Sequence, residues 1–373
     1  MFGFRSRFAK NFDWILGAVA VILVVFGILV IYSTSFKATT QTGSGDAIHQ
    51  TLFAVIGFVF MIAAARSDYR AWGKLTTWLY GLMIVLLIWV DVFSHAVLGA
   101  TRWINFGFFQ FQPSEFAKLV MIVVLARFFA DNYDRLERPK YLFISLGYLV
   151  VPVLLVMKQP DLGTALVLVV IWLSMALVSR IRKLHLAILA VIALSMLPFG
   201  LKLLKPFQRA RLDTFINPTA DPLHTGYNAV QSTITVGSGQ VFGQGLAAGS
   251  QSQLNFLPSL AQHTDFIFAV AAEKLGFVGA ALLLVLFGVL FYRGIMIAHH
   301  SQDRFGLFLA TGIVAMLVFH VFINVGMNMG IAPVTGIPLP FISYGGTSLI
   351  IALTCVGLLE SIALRRQKLQ FEG

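Results

Sequence analysis

Charge is what this sequence has least of. Asp, Glu, Lys and Arg together make up 12% of its 373 residues, against roughly 25% in soluble domains. With 58% hydrophobic residues beside so few charges, an ordinary soluble fold is excluded, because its surface would be covered in apolar patches. Cysteine is almost absent. The one thiol, Cys355, rules out an internal disulfide, and no Cys/His cluster has the spacing of a structural zinc site. The chain also lacks a phosphate-binding P-loop, a dinucleotide fingerprint and an HExxH pair. Its glycine-rich run from Gly237 to Gly249 offers GSGQVFG and GQGLAAG, neither with GxGxxG spacing. Acidic residues are outnumbered 16 to 27, giving a formal charge of +11. The basic residues fall in short connections between apolar runs, which is the pattern of a membrane protein and not of a nucleic-acid-binding surface.

What the sequence has in abundance is apolar runs near the roughly 20 residues that cross a bilayer. They lie at 14–32, 49–65, 75–93, 116–130, 141–157, 163–179, 186–204, 265–292, 306–329 and 340–364. The fourth is short and is expected to begin at Pro113. The first follows Arg5, Arg7 and Lys10 but is too long for a signal-peptide core, so it reads as a retained span. The fold class expected is therefore an all-α integral membrane protein of about ten transmembrane helices, forming one polytopic domain over residues 1–373. With the N-terminus inside, two thirds of the 27 Lys and Arg fall on the inner side, which places both termini in the cytoplasm. Residues 205–264 then form one large extracytoplasmic loop before span eight. Its mixture of Phe207, Phe215, Tyr227 and Phe256 with glycine suggests a folded, hinged lid with short amphipathic helices.

Four polar constellations interrupt the apolar pattern. Gln112-Pro113-Ser114-Glu115-Phe116-Ala117-Lys118 follows Arg102-Trp103-Ile104. Proline suits a first helical turn, and Glu115 and Lys118, three apart, share one face. They read either as an interfacial charge pair at a helix start or as cavity residues, since ionisable groups in a span tend to face a bundle interior. In Lys158-Gln159-Pro160-Asp161-Leu162-Gly163-Thr164, Lys158 suits a Pro-Asp turn, and Asp161 is either a helix cap or a site residue. In His263-Thr264-Asp265-Phe266, Thr264 can cap span eight and Asp265 can answer its dipole. Equally, an acid opening a span below a large loop is well placed as a general base. The fourth, Gly336-Ile337-Pro338-Leu339-Pro340 running on to Ser343-Tyr344-Gly345-Gly346, breaks a helix at membrane depth and reads mainly as a re-entrant structural loop. Gly326 and Gly330 suit close helix packing in span nine, while Cys355 reads as a lipid-facing or packing residue.

These motifs, in this order, resemble the SEDS family (shape, elongation, division and sporulation proteins). RWI…FQPSEFAKL, QPDLGTA, FLPSLAQHTDFIFAVAAEKLGFVG and GIPLPFISYGGTSL cover residues 100 to 350. The PVTGIPLPFISYGG form and the short cytoplasmic tails are closer to the elongation branch than to the division branch. Ala261-Gln262 stands where the family has a more charged pair, and Lys274 where relatives often carry a second acid. The resemblance implies a peptidoglycan glycosyltransferase of the bacterial plasma membrane. Such an enzyme polymerises lipid II, an undecaprenyl-pyrophosphate-linked saccharide, at the outer face during cell elongation. It also implies work with a class B penicillin-binding protein and other elongation-complex membrane proteins.

By resemblance the aspartate matching Asp265 is catalytic, and Arg102, Glu115, Lys118 and Asp161 line a polar cavity. Gln112, His263 and Thr264 belong to the same motifs. On this reading Asp265 is the base, Arg102 and Lys118 stand near the pyrophosphate, and Glu115 holds Lys118. Arg209 and Arg211 are candidates for pyrophosphate or glycan contact, or for anchoring to lipid headgroups. The sequence names no cofactor, and its carboxylates permit a divalent cation without requiring one. The intramembrane charges cluster toward the outer ends of the spans. That favours an outward-facing enzyme over a transporter such as a lipid II flippase, which needs an inside-facing path; a pure scaffold for a partner would leave Asp265 replaceable.

Overall fold

The computed structural model describes residues 11–35, 45–93, 102–105, 107, 110–203, 206–217, 225–246 and 259–366. Among them helices dominate: α1 (Trp14–Ser35), α2 (Gly45–Arg66), a short α3 (Tyr69–Lys74) and α4 (Thr76–Phe93) come first. Then follow α5 (Pro113–Asp131), α6 (Pro139–Lys158), α7 (Leu162–Val178), α8 (Lys183–Leu203), α9 (Pro206–Ile216) and α10 (Thr225–Ser238). The chain closes with α11 (Ser259–Gln262), α12 (Ile267–His299), α13 (Arg304–Asn328) and α14 (Gly346–Leu364). A two-stranded antiparallel ribbon pairs Ile104 with Phe111 and Asn105 with Gln110. The protein is an all-α membrane protein. Among the described residues seven helices are long and apolar enough to cross a bilayer, namely α1, α2, α4, α6, α12, α13 and α14. The apolar stretches Leu162–Val178 and Lys183–Met196 are shorter, and α5 carries Glu115 and Lys118 in its first turns.

Helix boundaries follow local chemistry. Pro113 and Pro139 open α5 and α6, where a missing amide costs nothing. Asp161 caps α7 by accepting from Thr164 N at 3.1 Å. The bundle is organised around α14 and α13, whose central windows are 83% and 61% buried, against 17% for peripheral α4. Helix α14 lies along α2. A Cβ at Gly357 would stand 2.3 Å from the Met61 carbonyl oxygen, so only glycine permits this backbone approach.

Three sequence expectations shift. The last helix starts at Gly346 and not at 340, because Phe341 sits at φ +67°, outside helical geometry, and Gly345 is extended at φ 165°. Gly330 lies beyond the end of α13 with φ +74°, so it terminates that helix and does not pack within it. Span eight reaches His299 but is broken at Gly276 (φ 69°, ψ −169°). The break frees backbone groups, and the 240–245 segment takes them up. Gln244 and Gly245 amides donate to the Glu273 and Lys274 carbonyls at 2.9 and 3.0 Å, and Phe277 and Val278 amides donate to the Gln240 and Val241 carbonyls at 2.8 and 3.1 Å. The long loop is thus stitched into an interrupted helix. Cys355 is completely buried, which makes it a packing residue.

At the opposite end from residue 265, the connection between α12 and α13 is fixed by Asp303. It caps α13 by accepting from the Gly306 amide at 2.7 Å, and it also accepts from the Tyr69 hydroxyl and Arg70 Nε, each at 2.7 Å. Burial alone would raise the Asp303 carboxyl, but these donors outweigh it and hold the group below its ordinary value. A depressed folded-state value contributes stability above the unfolded value and loses it as pH falls through the folded one. Thermal unfolding in detergent is therefore expected to show a midpoint that drops below about pH 4. Asp303→Ala should flatten that acid limb and lose about 1 kcal/mol at neutral pH.

Candidate active site

Asp265 sits on the turn between α11 and α12, and its backbone is held from several directions. The His263 carbonyl accepts from the Tyr344 amide at 2.7 Å, and the Thr264 carbonyl from Ser343 Oγ at 2.6 Å. The Asp265 carbonyl accepts from Asn324 Nδ2 and Asn328 Nδ2, both at 3.0 Å. Three successive carbonyls are thus satisfied by the 336–346 segment and by α13. On the other flank, Thr34 Oγ1 of α1 pairs with His263 Nδ1 at 2.9 Å. Gln50 of α2 donates to the Ser343 carbonyl at 3.1 Å and accepts from the Gly345 amide at 3.2 Å. A carboxylate on such a turn has little freedom to relax, which is the preorganisation an active site needs.

The charges that reach the Asp265 carboxyl are those of Arg211, Arg102 and Asp161. Arg211 comes from α9. Burial pushes its guanidinium down from the ordinary arginine value while Asp265 pushes it back up, and it stays cationic. Arg102 precedes the ribbon; its Nε donates to the Gln159 carbonyl at 3.1 Å, and a second nitrogen reaches the Pro160 carbonyl. Asp161 is buried, accepting from Thr164 Oγ1 at 2.9 Å and from Ser114 Oγ at 3.5 Å. Two cations and two carboxylates from four separated parts of the chain thus share one region. A mostly apolar cavity of about 240 Å³ opens beside Arg211, lined by Thr214, Phe215, Val230, Ile234, Met327 and Val334 among others.

The remaining sequence-derived residues have partners and surroundings of their own. Gln112 precedes α5, its amide donating to Thr347 Oγ1 at 3.2 Å and its side chain to Ser114 Oγ at 3.0 Å. Arg209 is exposed on α9, and Thr264 lies beside the Asp265 carboxyl. Glu115 and Lys118 pair at 2.7 Å but are 4% and 1% exposed, so the pair is walled in by protein. The cations whose charge reaches the Asp265 carboxyl are Arg211 and Arg102, and Lys118 is not among them. Among the described residues no three His, Cys, Asp or Glu side chains converge as metal ligands. Sequence reading missed His320, Asn324 and Asn328, which recur every fourth residue along α13 and form a buried polar stripe. That spacing was the available signal.

Gly336 reports how tightly the site is assembled. It has φ +76°, and a Cβ there would lie 3.5 Å from Arg211 Nη1 and 3.6 Å from Asp265 Oδ2. Gly336→Ala is expected to strain the backbone by about 1 kcal/mol and to place a methyl group against both ions. Turnover should fall about tenfold or more with the helical circular-dichroism signal retained, a combination that purified-protein kinetics and spectroscopy together would check.

Comparison with known proteins is consistent with these motifs. A family model described as cell cycle protein, FtsW/RodA/SpoVE, matches residues 13–368. The chain is 38% identical to stage V sporulation protein E of Bacillus subtilis, over 94% of its own length and 96% of that protein's. It is also 38% identical to peptidoglycan glycosyltransferase MrdB of Escherichia coli (93% and 92% covered), and 33% identical to peptidoglycan glycosyltransferase RodA of Treponema pallidum (97% and 100%). Among solved structures, a chain of a peptidoglycan synthase complex that coordinates polymerization and crosslinking superposes with TM-score 0.78 at 28% identity, covering 94% of this chain and 97% of that one. RodA of Thermus thermophilus gives 0.68 at 28% identity, covering 96% and 98%. A match that runs from the foot of the first helix to just past the last, through every motif that builds the Asp265 cluster, places this chain in the FtsW/RodA/SpoVE family of multi-pass membrane proteins.

Proposed function

We propose that this chain is a peptidoglycan glycosyltransferase that polymerises lipid II at the outer face of the plasma membrane, in the service of cell elongation. The observation that carries the proposal is the Asp265 carboxylate, fixed on a turn whose three successive carbonyls are hydrogen-bonded and reached by the charges of Arg211 and Arg102. Glycan extension joins a saccharide hydroxyl to an anomeric carbon. A C–O bond forms, the bond from that carbon to the pyrophosphate oxygen breaks, and the hydroxyl proton must go elsewhere. Asp265 takes the proton as general base. Arg211 and Arg102 face the charge that builds on the departing pyrophosphate, and fixed cations in a water-poor site are usually the largest electrostatic contribution to rate. The apolar cavity beside Arg211 suits the lipid portion of such a substrate. Asp161 and Thr164 brace the α7 terminus on which Arg102 rests.

The bias of Lys and Arg toward the other end of the bundle supports an outward-facing site. A class B penicillin-binding protein is the partner we propose, because a solved relative belongs to a complex that coordinates polymerization with crosslinking. The elongation assignment rests on the PVTGIPLPFISYGG segment and on kinship with MrdB and RodA.

Purified wild type, with its transpeptidase partner, should convert lipid II into long strands resolved by gel. Asp265→Asn should lower turnover by about 10²–10⁴-fold with its unfolding midpoint retained. Strands of normal yield from the variant would remove Asp265 as the base, and none from wild type would remove the activity. For the cellular role, expression in a rod-shaped host depleted of its elongation polymerase should restore rods. Rescue of division filaments instead would reassign the branch.

A further inference from the structure

Helix α13 carries one feature that the proposed chemistry does not use directly. His320, Asn324 and Asn328 recur at intervals of four, so they form one stripe rising about 12 Å along the helix. They are 4%, 0% and 0% exposed. At the lower end His320 Nε2 lies 3.2 Å from Lys118 Nζ, which also binds Glu115 Oε1 at 2.7 Å. One and two turns on, both asparagine amides donate to the Asp265 carbonyl. Asn324 gives its second hydrogen to the Ile337 carbonyl at 2.8 Å, and Asn328 to the Asn324 carbonyl at 2.8 Å, so both amide groups are fully committed. Ser232 of α10 fixes the far end by donating to Asn328 Oδ1 at 2.9 Å.

Each contact has a defined direction. An ammonium group can only donate, so His320 Nε2 must accept, which requires the neutral imidazole with its proton on Nδ1. Lys118 is thereby oriented by two acceptors from two helices, Glu115 on its own helix and His320 on α13. The backbone of Asp265 hangs from the same face of that helix. A rigid rod carrying both groups sets their separation, whereas two independent loops would not.

We propose that His320 is a positioning residue. It aims Lys118 and, through the α13 stripe it shares with Asn324 and Asn328, holds the Lys118–Glu115 pair in register with the Asp265 turn. The kinetic part rests on the glycosyltransferase reading; the tautomer does not.

The test compares full-length wild type with His320→Gln, His320→Asn and His320→Leu in lipid II polymerisation, separating kcat from KM. A glutamine oxygen reaches the place of Nε2, while an asparagine oxygen stops short. Glutamine is expected to keep kcat within about threefold, and asparagine and leucine to lose about 10- to 100-fold in kcat with little change in KM. Wild-type kcat in the asparagine or leucine variant overturns the proposal. So does a glutamine variant as slow as leucine, or a loss confined to KM. If leucine prevents folding, the contrast between glutamine and asparagine decides.

A second measurement needs no turnover. In ¹⁵N-histidine-labelled wild type, the resonance missing from His320→Gln should show the Nδ1–H tautomer among the eight histidines. An Nε2–H or doubly protonated ring overturns the geometry. A wild type that makes no glycan but shows Nδ1–H removes the glycosyltransferase reading and leaves the Lys118 contact standing.

Discussion

Inside a bilayer a peptide group that leaves a helix has no water to bond, and this one constraint governs the site end of the molecule. The chain departs from helix at the 263–266 turn, along 329–345 and at the Gly276 break. The first two departures satisfy one another through Tyr344 N to His263 O and Ser343 Oγ to Thr264 O. The third is met by the backbone of 240–245. Irregular chain here is satisfied by other irregular chain and by the side chains of Gln50, Asn324 and Asn328. The catalytic candidate therefore lies on a stretch of backbone whose carbonyls are held from several directions, not on a free loop.

The ionic groups follow from the same constraint. A charged side chain in an apolar bundle is tolerated when opposite charge or hydrogen bonds stand against it. Arg211 and Arg102 with Asp265 and Asp161 form one such balanced set, and Lys118 with Glu115 and His320 another. The two sets differ in what surrounds them. The first borders a cavity at Arg211, so it can meet a ligand, while the second is sealed and can act only on its neighbours. Helix α13 touches both, which makes it the spine of the site as well as of the bundle.

Much of this was legible in the chain. The apolar runs located the helices closely, with Pro113 marking the start of α5 as its ring chemistry requires. Asp265, Asp161 and Arg102 stood out because ionisable residues at the ends of apolar spans need a reason to be there. The Gly276 break did not stand out, since a single glycine within a long apolar run reads as ordinary packing. His320, Asn324 and Asn328 were hidden for a related reason, being neutral polar residues in a span and conspicuous only as a set spaced by four.

The sequence by itself determined the solvent, the helical class, the positions of the spans and the residues of the four polar motifs, because hydropathy and helix-breaking residues act locally. Only the tertiary structure decided that the charges of Arg211, from a segment far along the chain, and of Arg102 both reach the Asp265 carboxyl. It alone decided that Lys118 is buried against His320, and that three consecutive carbonyls of the 263–265 turn are bonded. Pairings of that kind depend on which helix faces which, and so on the close approach of α2 to α14 and the packing of α13 against α5, α7 and α12, a geometry that no local pattern encodes.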